Sequence, residues 1–361
     1  MKNVCLVAIV KNEAAVIRSM LDSARPFITS WSICDTGSTD GTQGIILEHL
    51  KGIPGTLHQR PWVDQQHNRN ESIELAEGNA DYLLMLDADE VLECAEGFKL
   101  PDPLTAYAYG ITVRMWDTEF QHLKLVQAGL RWRWIGRRHP YLKADREVVP
   151  VTLAGVEVTT PVRGSSNHDP DKYAKHAAEL EQDCLETPGS PRLRYYLAQS
   201  YRDAGMHEKA LENYQRRMTT DGWHEERWSA AYEAAKCLER LGRPMPQVVA
   251  AYLAAVELNE SRAEPLYCAA RYLRWQGRPD MALAFAREAA AIPRPATGLF
   301  LEASVYAWRA LDELVLCAYF AGELQDACEA IAKLREVAPE SEAARITRNA
   351  AAIDRLMGSP K

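Results

Sequence analysis

Asp87 and Asp89 stand two residues apart at the end of an apolar run formed by Tyr82, Leu83, Leu84, Met85 and Leu86. Carboxylates at that spacing are hard oxygen donors, suited to a Mg²⁺ or Mn²⁺ ion that shares its shell with phosphate oxygens. A D-x-D tripeptide by itself is equally compatible with a solvated acidic strand end. Other groups able to do chemistry lie on either side. Asp35 opens the segment Asp35-Thr36-Gly37-Ser38-Thr39-Asp40-Gly41-Thr42, built of turn formers and N-cap residues. Arg69 could pair its guanidinium with phosphate oxygens or make a surface salt bridge. Between Lys124 and Lys143 come Arg131, Trp132, Arg133, Trp134, Arg137, Arg138 and His139, with no acid among them. Such a stretch can hold a diphosphate or line a nucleic-acid groove. Its tryptophans can stack on a sugar or pack beneath a site floor.

The elements that must position these groups follow from pattern. An apolar run bounded by polar residues reads as a strand buried on both faces. Carboxylates at its C-terminal end sit where open α/β sheets bind ligands. Val4–Val10 reads as a first strand, and 13–24 as a helix with Val16, Met20, Leu21 and Ala24 on one stripe. A second strand is expected over 28–34, then a helix carrying Ile45, Ile46 and Leu50, a third strand over 55–60 and a helix around 70–77. After the two acids, 107–115 adds a further strand. This alternation predicts a parallel, doubly wound sheet. Val10, Lys11, Asn12 and Glu13 then form the turn after the first strand, at the switch point where a nucleotide would lie. Ser38, Thr39 and Asp40 are expected to cap the following helix rather than to touch ligand.

From about residue 172, Ala, Leu, Arg and Glu recur at helical spacing and an internal repeat emerges. Leu197, Ala198, Tyr201, Gly205, Ala210 and Tyr214 mark one unit; Ala269, Ala270, Leu273, Gly277, Ala282 and Ala286 another. Leu314, Val315, Ala318, Gly322, Ala327, Ile331 and Pro339 mark a third, and Ala234, Leu238 and Gly242 fit with a small insertion. Small residues at these offsets let paired helices approach closely, although ordinary amphipathic helices would show some of the same pattern. An irregular stretch is expected near 293–308. The boundaries expected are 1–171 for an α/β domain and 172–361 for an all-α repeat domain.

At 361 residues the chain can hold two cores. A net charge of −8 argues against a polybasic surface and counts against nucleic acid as the acceptor. Its eight cysteines are scattered without a C-x-x-C pair, which favours reduced thiols in a cytoplasmic setting. The early apolar run is too short for a secretory signal and charge follows it at once. No stretch approaches the ~20 apolar residues of a membrane span.

Taken in order, VAIVKNEAAVIRSML, CDTGSTDGTQ and NRNESIELAEGNADYLLMLDADE resemble the start of a family 2 glycosyltransferase. The variety with a C-terminal tetratricopeptide array is most similar, as in some bacterial and phage enzymes, including S-glycosyltransferases of bacteriocin biosynthesis. The resemblance implies a GT-A fold (Rossmann-like, mostly parallel sheet) that uses a nucleotide-sugar donor with a divalent metal, Mn²⁺ or Mg²⁺. Inversion is the favoured stereochemical outcome. By the same resemblance Asp35 bonds the N–H of the donor base, which favours a UDP-sugar. Val10, Asn12, Glu13, Arg69, Asp87, Ala88 and Arg137 belong with the donor. Asp89 is the direct metal ligand, Asp87 reaches the ribose or a metal-bound water, and Glu90 orients the loop. His168, in SSNHDPDKY, corresponds to a later histidine ligand, although a lone histidine need not bind metal. Trp134, Gly136 and His139 match a block that ends in a His-Glu pair, but Pro140 replaces the glutamate. His139 becomes the first candidate for catalytic base, with Asp117, Glu119, Asp145 and Glu147 behind it. The implied acceptor is a peptide, protein or glycan, with modified DNA bases as a rival. A degenerate catalytic domain serving as a scaffold is the non-enzymatic alternative, and the repeats could pair two chains into a homodimer.

Overall fold

The computed structural model describes residues 2–78, 80–161 and 171–358. The chain divides into two compact units, with the boundary between Lys172 and Tyr173. In the first, β1 (Val4–Val10), α1 (Ile17–Ala24), β2 (Ser30–Asp35), α2 (Thr42–His49), β3 (Gly55–Gln59), α3 (Gln65–Ala76) and β4 (Tyr82–Met85) alternate. There follow β5 (Val91–Cys94), β6 (Ala108–Met115), β7 (Thr118–Gln127), β8 (Arg133–Ile135), β9 (Tyr141–Lys143) and β10 (Val151–Thr159). The sheet order is β3-β2-β1-β4-β7-β6-β10-β5, with β8 and β9 paired separately.

β1, β2, β3 and β4 are mutually parallel, so their C-terminal ends share one edge. The remainder is mixed, in keeping with the mostly parallel sheet expected, although the alternation of strands and helices gave no sign of which strands run antiparallel. β7 lies antiparallel to both β4 and β6, β10 is parallel to β6, and β5 is antiparallel to β10. The reason is local: Trp116 and Asp117 alone join β6 to β7, and a link that short permits a hairpin but no crossover.

Alternation in β1 and β4 builds two cores. Val4, Leu6, Ala8, Val10, Tyr82, Leu84 and Leu86 join Ile17, Met20, Leu21 and Ile46 on the face covered by α1 and α2. Cys5, Val7, Leu83 and Met85 face Ile73, Ala76, Trp132 and Trp134 on the other. Two helix starts differ from expectation. α1 begins at Ile17 because Glu13 and Ala14 donate their N–H groups to Thr42 Oγ1 and Asp40 Oδ2, at 2.8 and 2.9 Å. α3 begins at Gln65, earlier than expected, because Asp64 caps it by accepting from the His67 N–H at 2.7 Å. Its first turns are polar and leave no apolar stripe to read.

The second unit is helical among its described residues apart from short connections. Helices α4 (Lys172–Glu186), α5 (Pro191–Asp203), α6 (His207–Met218), α7 (His224–Arg240) and α8 (Met245–Leu258) come first. Next are α9 (Glu264–Trp275), α10 (Pro279–Ala291), α11 (Ala310–Ala321), α12 (Leu324–Val337) and α13 (Ala343–Gly358). The repeat glycines 205, 277 and 322 sit between paired helices at φ 75°, 71° and 81°. That left-handed conformation ends a helix at little steric cost only for glycine. Their small alanines pack at the helix crossings, as Ala269, Ala282 and Ala286 do. Charges are buried here in pairs: Arg262, 1% exposed, bonds Glu264 and Glu225 and lies 3.7 Å over the Trp228 ring. The expected irregular stretch holds a π-helical segment over Val305–Arg309 that runs into α11. No helix among the described residues is long and apolar enough to cross a membrane.

Candidate active site

At the shared strand edge, Val10, Asp35 and Gln59 lie level on β1, β2 and β3. The loop after β1 is stapled to the loop after β2. Asn12, at φ 55°, accepts the Thr39 N–H on its side-chain oxygen at 2.8 Å, and its own N–H donates to Ser38 Oγ at 2.9 Å. Asp40 accepts from Thr42 N and Oγ1 at 3.1 and 2.6 Å as well as from Ala14. Asp40 therefore does fix the start of α2, while Ser38 and Thr39 hold the β1 loop instead of capping.

Asp35 is 1% exposed. Gly37, at φ 104°, turns the chain so that the Gly37 and Ser38 N–H groups both donate to Asp35 Oδ1 at 2.9 Å, joined by Gln43 Nε2 at 2.9 Å. Asp35 Oδ2 is buried with no hydrogen-bond partner. Burial alone would raise this carboxyl, but the bonds from Ser38, Gly37 and Gln43 outweigh it and hold the pKa below the usual range. The group is an ionised acceptor with one vacant oxygen, and an unmet buried acceptor costs about 1–3 kcal/mol. Asp35 lines a cleft of about 230 Å³ with Gly37, Gln43, Gln59, Arg60 and Pro61.

Asp87 and Asp89 follow β4 at the same edge, both half-buried, with Ala88 buried between them. Arg69 reaches from α3 to Asp87 Oδ1 at 2.6 Å and lies 4.7 Å over the Trp134 ring. Its Nε is buried without a partner. Burial would raise the Asp87 carboxyl, yet Arg69 and Lys124 pull it down to about 2. Glu90 accepts the Asp87 N–H at 2.8 Å and receives Lys124 Nζ on both carboxylate oxygens at 2.6 Å. Burial raises the Glu90 carboxyl against the opposing pull of Lys124. The pair ties the two-acid loop to β7, so Glu90 orients that loop as its position implied.

The segment carrying His139 is tethered to α3. Asn70 bonds both backbone groups of Trp134, accepting from its N at 2.8 Å and donating to its O at 3.0 Å. Gln66 accepts the Gly136 N–H at 2.7 Å. Arg137 and His139 are exposed on the loop between β8 and β9, with His139 at φ 46°. Trp132 and Trp134 are buried, so they form part of the floor and offer no face to a sugar or a base. Asp117 and Glu119 lie at the β6–β7 hairpin end and Asp145 pairs with Arg146.

A divalent cation fits the donor set: two half-buried carboxylates at the strand edge suit Mg²⁺ or Mn²⁺, which take one or two protein oxygens and complete their shell with phosphate and water. Among the described residues no cluster of three or more His, Cys, Asp or Glu forms a dedicated cage. His168 lies outside the described residues. Lys124, Gln43, Gln59 and Gln66 are site residues that sequence reasoning did not single out. Lys124 stood in a basic stretch that suggested solvent or phosphate, and amide side chains carry no motif.

Residues 5–142 match the family model described as Glycosyl transferase family 2. No curated protein matches the chain. Solved structures similar to it include MamA, at 16% identity over 52% of this chain and 91% of that one, TM-score 0.35. TTC0263, a thermophilic TPR protein in Thermus thermophilus, has 19% identity over 51% of this chain and 91% of that one, TM-score 0.34. YrrB, a TPR protein with an unusual peptide-binding site, has 16% identity over 49% and 84%, TM-score 0.37. Residues 5–142 thus form a domain that matches the family 2 glycosyltransferases, and a region of consecutive helices follows from Lys172.

Proposed function

We propose that the domain transfers a sugar from a UDP-sugar to a peptide, protein or glycan acceptor with inversion. The observation that carries the donor assignment is the buried, unpartnered Asp35 Oδ2 on a cleft at the strand edge. An ionised oxygen in that position calls for an N–H donor, which a uracil ring supplies. The β1 loop at Val10, Asn12 and Glu13 borders the ribose and diphosphate side. Ala88 lets the donor approach the loop closely, and Arg69 and Arg137 supply positive charge for the phosphates. A divalent cation held by Asp87, Asp89 and His168 would neutralise the diphosphate as the glycosidic bond breaks.

His139 takes the proton of the attacking acceptor group. Its exposure and left-handed backbone support this role, because strained backbone persists where surrounding structure holds it for use. The burial of Trp132 and Trp134 withdraws both tryptophans of the basic stretch from any nucleic-acid groove and favours peptide or glycan over DNA.

Calorimetric titration of the full chain with UDP and GDP, with and without Mn²⁺, tests the reading. Metal-dependent UDP binding is expected, and Asp89→Ala should abolish it while leaving the unfolding midpoint in place. Binding of neither nucleotide would favour the scaffold alternative. His168→Ala should weaken Mn²⁺ affinity, and an unchanged affinity would remove it from the site.

A further inference from the structure

We propose that Gln43 is a positioning residue that sets base selectivity, by holding the Asp35 carboxylate in the orientation that keeps Oδ1 in the turn and presents Oδ2 as the single free acceptor. The inference rests on the nucleotide reading above. An ionised carboxylate oxygen has about two lone-pair sites. Three donors converge on Asp35 Oδ1, from Gly37 N, Ser38 N and Gln43 Nε2, all at 2.9 Å. That oxygen is saturated. Oδ2, buried and unpartnered, is all that remains.

Bases differ in what they ask of such a group. Uracil carries one ring N–H between two carbonyl oxygens, and one acceptor oxygen flanked by donors matches it. Guanine carries two adjacent N–H groups, which are satisfied by both oxygens of a carboxylate side by side. The ring nitrogen of cytosine at the same place is an acceptor and is repelled. Fixing Oδ1 therefore discriminates against guanine, while the ionised carboxylate by itself already rejects cytosine.

Two of the three donors are backbone groups within the turn itself. Gln43 comes from the first turn of α2, is half-buried, and lines the cleft beside Gln59 and Arg60. Its amide is the contact from beyond the turn that resists rotation of the Asp35 carboxylate. Arg60, which lines the same cleft, is paired with Glu71 at 2.8 Å.

The test compares UDP with GDP binding to the full chain in Mn²⁺, for wild type, Gln43→Met and Gln43→Asn. Both variants remove the bond to Asp35, Met at equal length and Asn by shortening, and either suffices if the other fails to fold. UDP affinity should fall roughly three- to tenfold, the range of one lost hydrogen bond, while GDP holds or gains, so the UDP:GDP ratio narrows by at least that factor. A parallel loss for both nucleotides, or no change, would overturn the proposal, since loop loosening alone does not discriminate between bases. Wild-type chain that binds neither nucleotide, or prefers GDP, would instead overturn the nucleotide reading itself.

Discussion

Single residues in the first unit are held by long-range pairs whose loss has separable effects. Lys124 is 3% exposed and its counter-ion Glu90 8%, so each is an uncompensated buried charge without the other. Lys124→Met should cost about 3–5 kcal/mol in urea unfolding, and adding Glu90→Gln should recover most of it, because the buried charge goes with its partner. Glu90→Gln still accepts the Asp87 N–H, so the double variant should keep Mn²⁺ affinity close to wild type. An additive double mutant would show that the two charges do not act as a pair. Asp35 presents a different case, since one oxygen is an orphan in the free protein while the other accepts three bonds. Asp35→Ala should abolish UDP binding in calorimetry and, because Gly37 N, Ser38 N and Gln43 Nε2 lose their acceptor, also lower the melting temperature.

At the scale of elements, α3 is the organiser. One helix supplies Gln66, Arg69 and Asn70, which hold the Gly136 backbone, the Asp87 carboxylate and the Trp134 backbone. Asn70→Ala leaves two buried backbone groups of Trp134 without their partner and frees the loop that carries His139. The expected outcome is a loss of about 1–3 kcal/mol in stability with a one- to two-order drop in kcat, because small misplacement of a reacting group is costly. KM for the donor should change little, and a rise confined to KM would place the loop at the donor instead. In the helical unit, Glu233 lies between Lys236 and Arg202 at 2.9 and 3.0 Å. Burial would raise its carboxyl, yet these cations lower it from 4.5 to about 2. A depressed carboxylate contributes stability that is complete above the unfolded value and is lost as pH falls through the folded one. Unfolding midpoints should therefore decline between pH 4.5 and about 2, and Glu233→Gln should flatten that decline.

On the scale of the whole molecule, sequence alone determined the order of strands and helices from β1 to β4, the strand edge that gathers Val10, Asp35 and Asp87, and the change to helices near residue 172, while β5, β7, β8, β9 and β10 were not anticipated. Those features are local. Burial on two faces, helical period and turn chemistry are written into consecutive residues, and each is read without knowing its neighbours in space. The antiparallel half of the sheet was less legible, since its strands are short or polar and only the brevity of the β6–β7 link gives their direction. Sequence also could not assign partners. That Lys124 neutralises Glu90, that Gln43 occupies one oxygen of Asp35 and that Trp134 lies beneath Arg69 were decided by tertiary structure alone. These pairs join elements remote in sequence or turn on the orientation of a single side chain. No periodicity records which of many charged or amide groups will be brought within hydrogen-bonding distance once the sheet closes, and it is that selection which turns an acidic strand end into a site.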